Sequence, residues 1–184
     1  MELVVANTGA SGAVIGVRLL QVLAEQADHR VHLLVSRAAE AVMAHELPAG
    51  VDLPAAHRWA ADDLAAPIAS SSRAPQAMVV APCSIRTLSA IAHGYASDLI
   101  VRTADVMLRM GRPLVLLPRE TPLSLPAIEN MRLARLAGAV LLPPMVAYYP
   151  QPRSVDDVTD FIVGKVLDVL GLEHSLYRRW GEGG

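Results

Sequence analysis

Arg119 and Glu120 stand where an apolar run, Pro113-Leu114-Val115-Leu116-Leu117-Pro118, gives way to Thr121-Pro122-Leu123. Large apolar residues bounded by prolines predict a strand buried on both faces. In an open parallel sheet, ligands sit outside the carboxyl ends of the strands, so this junction points to a site. The guanidinium suits an anion that can accept two parallel hydrogen bonds. A second junction, Asn7-Thr8-Gly9-Ala10-Ser11-Gly12, carries a strand into a helix. Its glycines let backbone approach a phosphate, and a helix N-terminus offers N–H groups to an anion. The spacing is neither the three-glycine dinucleotide fingerprint nor a P-loop, and a tight turn with a helix cap is an equal reading.

A third junction is Ala81-Pro82-Cys83-Ser84-Ile85-Arg86-Thr87. Ser84 can cap the next helix and Thr87 lies one turn on, so the two can hold phosphate or a polar ring edge. Cys83 at a helix start could be activated, but no histidine lies near it in sequence, and a small buried thiol is the favoured reading. Asp156-Asp157-Val158-Thr159-Asp160 spells the DDxxD pattern of magnesium-dependent prenyl diphosphate enzymes. That chemistry needs facing helices around an all-helical cavity. Here the acids follow Ser154 in a first helical turn, where they complement the helix dipole, so capping is the better explanation. The six histidines (His29, His32, His45, His57, His93, His174) show no metal-ligand spacing and are expected mostly on the surface or in loops.

The elements that must position these residues alternate. Strands are expected at Leu3–Ala6, Val31–Val35, Met78–Ala81, Leu114–Leu117 and Val140–Leu142. Helices are expected at Ala13–Gln26, Arg37–Glu46, Ser84–Gly94, Leu99–Met110, near Leu125–Ala137 and at Ser154–Leu172. Leu47–Pro75 reads as a loop. This order predicts a three-layer α/β/α domain with a Rossmann-like or flavodoxin-like parallel sheet, a single domain over 1–184 with a C-terminal helix and tail from about 154.

With 184 residues, 53% hydrophobic and 18% charged, the chain can bury a sizeable core, and its mean hydropathy of +0.36 is high for a soluble monomer. No apolar run reaches the roughly 18 residues that span a bilayer. The N-terminus reads as a strand rather than a secretory signal. Surplus apolar surface without a membrane span predicts an oligomer. A net charge of −2 gives no reason to expect nucleic acid, and one cysteine fits a reducing cytoplasm.

Taken together, these segments resemble the flavin prenyltransferase family (UbiX-like), flavodoxin-like enzymes that serve the reversible aromatic-acid (UbiD-like) decarboxylases. The resemblance covers nearly the whole chain. It rests on Thr8-Gly9-Ala10-Ser11-Gly12, Ala81-Pro82-Cys83-Ser84, Arg102-Thr103-Ala104-Asp105-Val106, Pro118-Arg119-Glu120-Thr121-Pro122-Leu123, Glu129-Asn130-Met131, Tyr149 before Pro152, and Arg179-Trp180-Gly181-Glu182. Any one of these is weak, but together in this order they are strong.

The resemblance implies binding of reduced FMN as acceptor and transfer of a dimethylallyl group to its N5 and C6, usually from dimethylallyl monophosphate and without metal. It places Gly9, Ala10, Ser11, Ser36, Ser84, Thr87 and Arg119 on FMN. Arg102, Arg109, Tyr149 and Lys165 would hold the donor phosphate, some from neighbouring subunits of a homododecamer. Ser11 would sit beside the reactive flavin edge, and Glu46 and Glu120 would handle protons or orient the phosphate cations. Trp180 would face the allylic cation, where a ring quadrupole is stabilising. For Arg109 and Lys165 alone, a surface ion pair is the commoner use of such residues.

The chain departs from the family in three places. Ser124-Leu125-Pro126-Ala127 carries no histidine where the family often has one, Arg86 fills a variable position, and Tyr148-Tyr149 replaces Phe-Tyr. Two alternatives remain at this stage: a flavin-dependent cysteine decarboxylase of the same fold, and a non-catalytic FMN carrier subunit.

Overall fold

The computed structural model describes residues 1–26 and 28–181. The strands are β1 (Glu2–Asn7), β2 (Arg30–Val35), β3 (His57–Trp59), β4 (Ala77–Cys83), β5 (Leu114–Pro118) and β6 (Val140–Leu141). The helices are α1 (Ala13–Glu25), α2 (Arg37–Glu46), α3 (Ile85–Ala92), α4 (Leu99–Arg109), α5 (Leu125–Leu136) and α6 (Val155–Leu170). All strands pair in parallel, in the order β3-β2-β1-β4-β5-β6.

Side-chain alternation divides the sheet's apolar residues between two cores. Val5, Val79, Ala81, Val115 and Leu117 pack with Leu19, Leu20 and Leu23 of α1 and Val163, Val166 and Leu167 of α6. Val4, Ala6, Met78, Val80, Leu114 and Leu116 pack with Leu88, Leu99, Ala104, Met107 and Ala134 of α3, α4 and α5. Helices lie on both faces because right-handed crossovers from β1 and from β4 run in opposite directions along the sheet. Without its short edge strand β3 the sheet has the flavodoxin order; with β3 it has the Rossmann order. The expected three-layer class is therefore present, and both sheet descriptions apply.

The edge strand β3 corrects the loop expected over Leu47–Pro75. His57, Arg58 and Trp59 pair with His32, Leu33 and Leu34. Three residues with two polar side chains carry no periodic signal, and the pairing is supplied by the neighbouring strand. The same stretch holds two short 3₁₀ turns, Pro67–Ala69 and Ser71–Arg73, and buries Ala66, Ile68 and Ala69. β4 continues past the expected Ala81 through Pro82, where the ladder shifts between Val80 and Cys83. Such a bulge tolerates a residue without an N–H.

The acidic run at Asp156 behaves as a cap. The Ser154 hydroxyl accepts from Asp157 N–H at 3.1 Å, and Asp157 accepts from the N–H groups of Ser154 and Arg153 at 2.9 and 2.7 Å. Asp160 is engaged with Arg18 at 2.6 Å. Of the histidines, His32 departs from the expectation, since it is buried within β2; His174 lies in the loop after α6, with its side chain almost fully enclosed.

Candidate active site

The strand order reverses between the parallel neighbours β1 and β4, and a crevice must open there. Thr8 ties the two strand ends together. Its hydroxyl donates to the Pro82 carbonyl at 2.8 Å and accepts from Ser84 N–H at 2.8 Å, while its own N–H reaches Pro82 O at 3.2 Å. Gly16 lets α1 lie close against this seam: a Cβ there would stand 2.3 Å from the Ala81 carbonyl and 2.4 Å from Asn7 Nδ2.

A cleft of about 590 Å³ opens above the seam. Gly9, Ala10 and Ser11 line it from the end of β1, Ser36 and Arg37 from β2, Ser84, Arg86 and Thr87 from β4, and Arg119 and Glu120 from β5. All seven residues expected on FMN are thus brought together. Ser36 caps α2 by accepting from Ala39 N–H at 3.1 Å, and Ser84 caps α3 by accepting from Thr87 N–H at 3.3 Å. The Ser84 and Thr87 hydroxyls are 3.0 Å apart. Ala38, Val42, Ile85, Ala90, Ile100 and Val101 add apolar walls. Arg37, Arg86 and Arg119 form no ion pair with a described residue. Volume, apolar walls, hydroxyls and uncommitted cations fit a flat ring system carrying a phosphate.

The N-terminus of α1 differs from expectation. Its N-cap is Gly12, in left-handed conformation with φ 97°, and the N–H groups of Gly12 and Ala13 both donate to Glu46 Oε2 at 2.9 Å. The helix end expected to face a phosphate already holds a carboxylate from the end of α2. Partial burial alone would raise the Glu46 pKa. Hydrogen bonds from the Ser11 side chain and from Ala13 and Gly12, with the charge of Arg119, outweigh it and hold the carboxyl below its ordinary range. Glu46 and Ser11, both expected in catalysis, are therefore neighbours at the start of α1. Cys83 is an inert core thiol, fully buried, with its pKa pushed up to about 12 by desolvation.

The expected donor residues lie elsewhere on the chain, in two groups. Arg109 Nε and Arg102 Nη1 flank Asp105 at 3.0 and 3.4 Å on α4, and Arg102 Nε also donates to the Ala69 carbonyl. Tyr149, Lys165 and Trp180 belong to a cluster between α6 and the tail. Trp180 and Phe161 both meet the Tyr149 ring edge-to-face, with centroids 5.3 and 5.9 Å away. Lys165 Nζ donates to Asp168 Oδ2 at 3.1 Å and to the Tyr177 hydroxyl at 3.3 Å. None of these five residues lines the cleft of its own chain. The tail motif's Glu182 lies outside the described residues.

Sequence reasoning missed Thr8 as the tie across the seam, the uncommitted Arg37, and Asp168. Thr8 stood inside a quoted motif, and its partner across the sheet is 74 residues away. Among the described residues no group of three or more His, Cys, Asp or Glu is arranged to hold a metal ion.

A parallel α/β sheet with a ring-and-phosphate cleft at its switch point defines a flavin-binding protein. A family model described as "Flavoprotein" matches residues 1–167. The flavin prenyltransferase UbiX of Methanocaldococcus jannaschii is 42% identical over 184 residues, covering 98% of this chain and 99% of that protein. Among solved structures, a dodecameric FMN-dependent UbiX-like decarboxylase from Escherichia coli O157:H7 superposes with a TM-score of 0.95 at 44% identity, covering 98% of this chain and 99% of its own. AnUbiX, in complex with FMN and dimethylallyl pyrophosphate, superposes with a TM-score of 0.94 at 41% identity, covering 100% and 98%. The chain belongs to the flavin prenyltransferase family.

Proposed function

We propose that this chain joins a dimethylallyl group from dimethylallyl phosphate to N5 and C6 of reduced FMN, giving prenylated FMN for a UbiD-like decarboxylase. The observation that carries the reading is the convergence of Gly9, Ala10, Ser11, Ser36, Ser84, Thr87 and Arg119 on one cleft at the switch point. The FMN phosphate is assigned to the hydroxyls of Ser36, Ser84 and Thr87 at the starts of α2 and α3, not to the start of α1, which Glu46 occupies. Reduced FMN supplies a nucleophilic nitrogen.

The chain supplies the rest. The Ser11 hydroxyl turns its hydrogen toward Glu46 as a hydrogen-bond donor, which leaves the Ser11 oxygen as an acceptor for an N–H at the flavin edge. The ionised Glu46 holds that hydroxyl in place. When the allylic C–O bond breaks, negative charge grows on the departing phosphate. Arg102, Arg109 and Lys165 neutralise it, with the Tyr149 hydroxyl as a further donor and Glu120 orienting the cations. The Trp180 face lies along the electron-poor allyl group.

These donor residues do not reach the cleft of their own chain, so the complete site needs neighbouring copies. Exposed apolar side chains support a homo-oligomer, with dodecamer the expected size: Leu125 is 71% exposed, Leu136 71%, Met145 71%, Tyr148 81%, Val155 77% and Trp180 81%. Residues 1–184 are read as one domain acting in the cytoplasm; no described helix is long and apolar enough to cross a membrane. The cysteine decarboxylase and carrier alternatives gain no support, since the curated relatives at 42–47% identity are prenyltransferases.

Anaerobic incubation of the purified protein with reduced FMN and dimethylallyl phosphate tests the proposal. The flavin should gain the mass of one dimethylallyl unit and inorganic phosphate should appear. Unchanged flavin mass rejects it.

A further inference from the structure

Asp168 makes more charged and polar contacts than any role assigned so far explains. Its Oδ1 accepts from His174 Nε2 at 3.1 Å and from Arg179 at 2.9 Å, and its Oδ2 accepts from Lys165 Nζ at 3.1 Å and from the Tyr177 hydroxyl. His174 Nδ1 accepts from Leu176 N–H at 3.2 Å, so the Nε2 proton points at the carboxylate and the ring needs no charge to make both bonds. Gly164 lets this layer form, because a Cβ there would lie 2.6 Å from the Tyr177 ring and 2.8 Å from His174.

One carboxylate therefore fixes two things at once. It holds the Lys165 ammonium, using with Tyr177 two of its three N–H directions and leaving the third for a ligand. It also anchors Arg179, and the next residue is Trp180, whose ring rests on Tyr149. Asp168 meets two cations with one charge, so the cluster keeps an excess positive charge suited to an anion. Burial alone would raise the Asp168 pKa, but hydrogen bonds from Tyr177, Arg179, Lys165 and His174 outweigh it and hold the carboxyl far below its ordinary range.

We propose that Asp168 is the positioning residue of the donor half of the site, setting Lys165 and the Trp180-bearing tail in one fixed arrangement. The kinetic part rests on the prenyl-transfer reading; the anchoring of the tail does not. The test compares wild type, Asp168→Asn and Asp168→Glu as intact assemblies. In Asp168→Asn the KM for dimethylallyl phosphate should rise about tenfold, while the FMN dissociation constant stays within about twofold of wild type. Asp168→Glu, which keeps the charge, should recover most of the loss.

An unmoved KM in the asparagine variant overturns the proposal. So does a parallel loss of FMN affinity, which marks general structural damage. Trypsin adds an arm that needs no activity: cleavage after Arg179 should be faster in Asp168→Asn than in wild type, and equal rates refute the anchoring. If wild type itself prenylates no flavin, the functional reading fails alone and the trypsin comparison still decides the tail.

Discussion

The cleft and the tail cluster are both rich in arginine, hydroxyl and carboxylate groups, yet they use them oppositely. In the cleft, Arg37, Arg86 and Arg119 are uncommitted, and the nearby hydroxyls do little beyond capping helices. In the tail cluster nearly every polar group is already satisfied, with four donors on Asp168. The cleft sits on strand ends whose positions the core dictates. The tail contains no strand; beyond the apolar packing of Leu172 and Leu176 on the core, it is ordered by its own hydrogen bonds and ring contacts. On the proposed reading, a flavin half that the fold preforms is joined to a donor half that side chains assemble.

Substitutions that separate the halves test this contrast. Arg119→Ala should weaken FMN about ten- to hundredfold, as expected for losing a charge-assisted hydrogen bond of about 1.5–3 kcal/mol, without altering the tail's resistance to trypsin; flavin fluorescence titration measures it. Lys165→Ala should do the reverse, raising the donor KM about tenfold with FMN affinity unchanged. Loss of FMN binding in that variant would erase the division.

Thr8→Val removes the hydroxyl that bonds to Pro82 and Ser84. It should lower unfolding free energy by about 1–3 kcal/mol in thermal or denaturant melts, because buried partners are left unpaired. The smallest effect concerns Glu46. Its folded carboxyl binds a proton less readily than the unfolded one, so its contribution to stability is full above its ordinary pKa of 4.5 and is lost as pH falls through the lower folded value. A Glu46→Gln chain should show a shallower loss of melting temperature over that acid range than wild type.

Much of this was legible in sequence because the signals were local. Apolar runs bounded by turns marked five strands, and Ser36, Ser84 and Ser154 each preceded the helix they cap. The cleft was legible because strand ends of a parallel sheet converge. What escaped depends on distance along the chain. Glu46 reaches Gly12 across 34 residues, and the edge strand β3 borrows its pairing from β2. Asp168 looks like an ordinary helical acid three residues after a lysine until the tail folds back onto it. The residues proposed for the donor matched a family pattern, but no local rule says whether they serve the cleft of their own chain or of a neighbour.

A site shared between copies makes a direct demand on mixed assemblies. Arg119→Ala and Lys165→Ala chains, unfolded and reassembled together at equal amounts, should prenylate reduced FMN faster than either variant alone when FMN and donor are both limiting. In a random mixture about a quarter of sites would pair an intact cleft with an intact Lys165 from another chain. Activity near that level is the predicted result. A mixture no faster than its parents would place both halves on one chain and contradict the shared site.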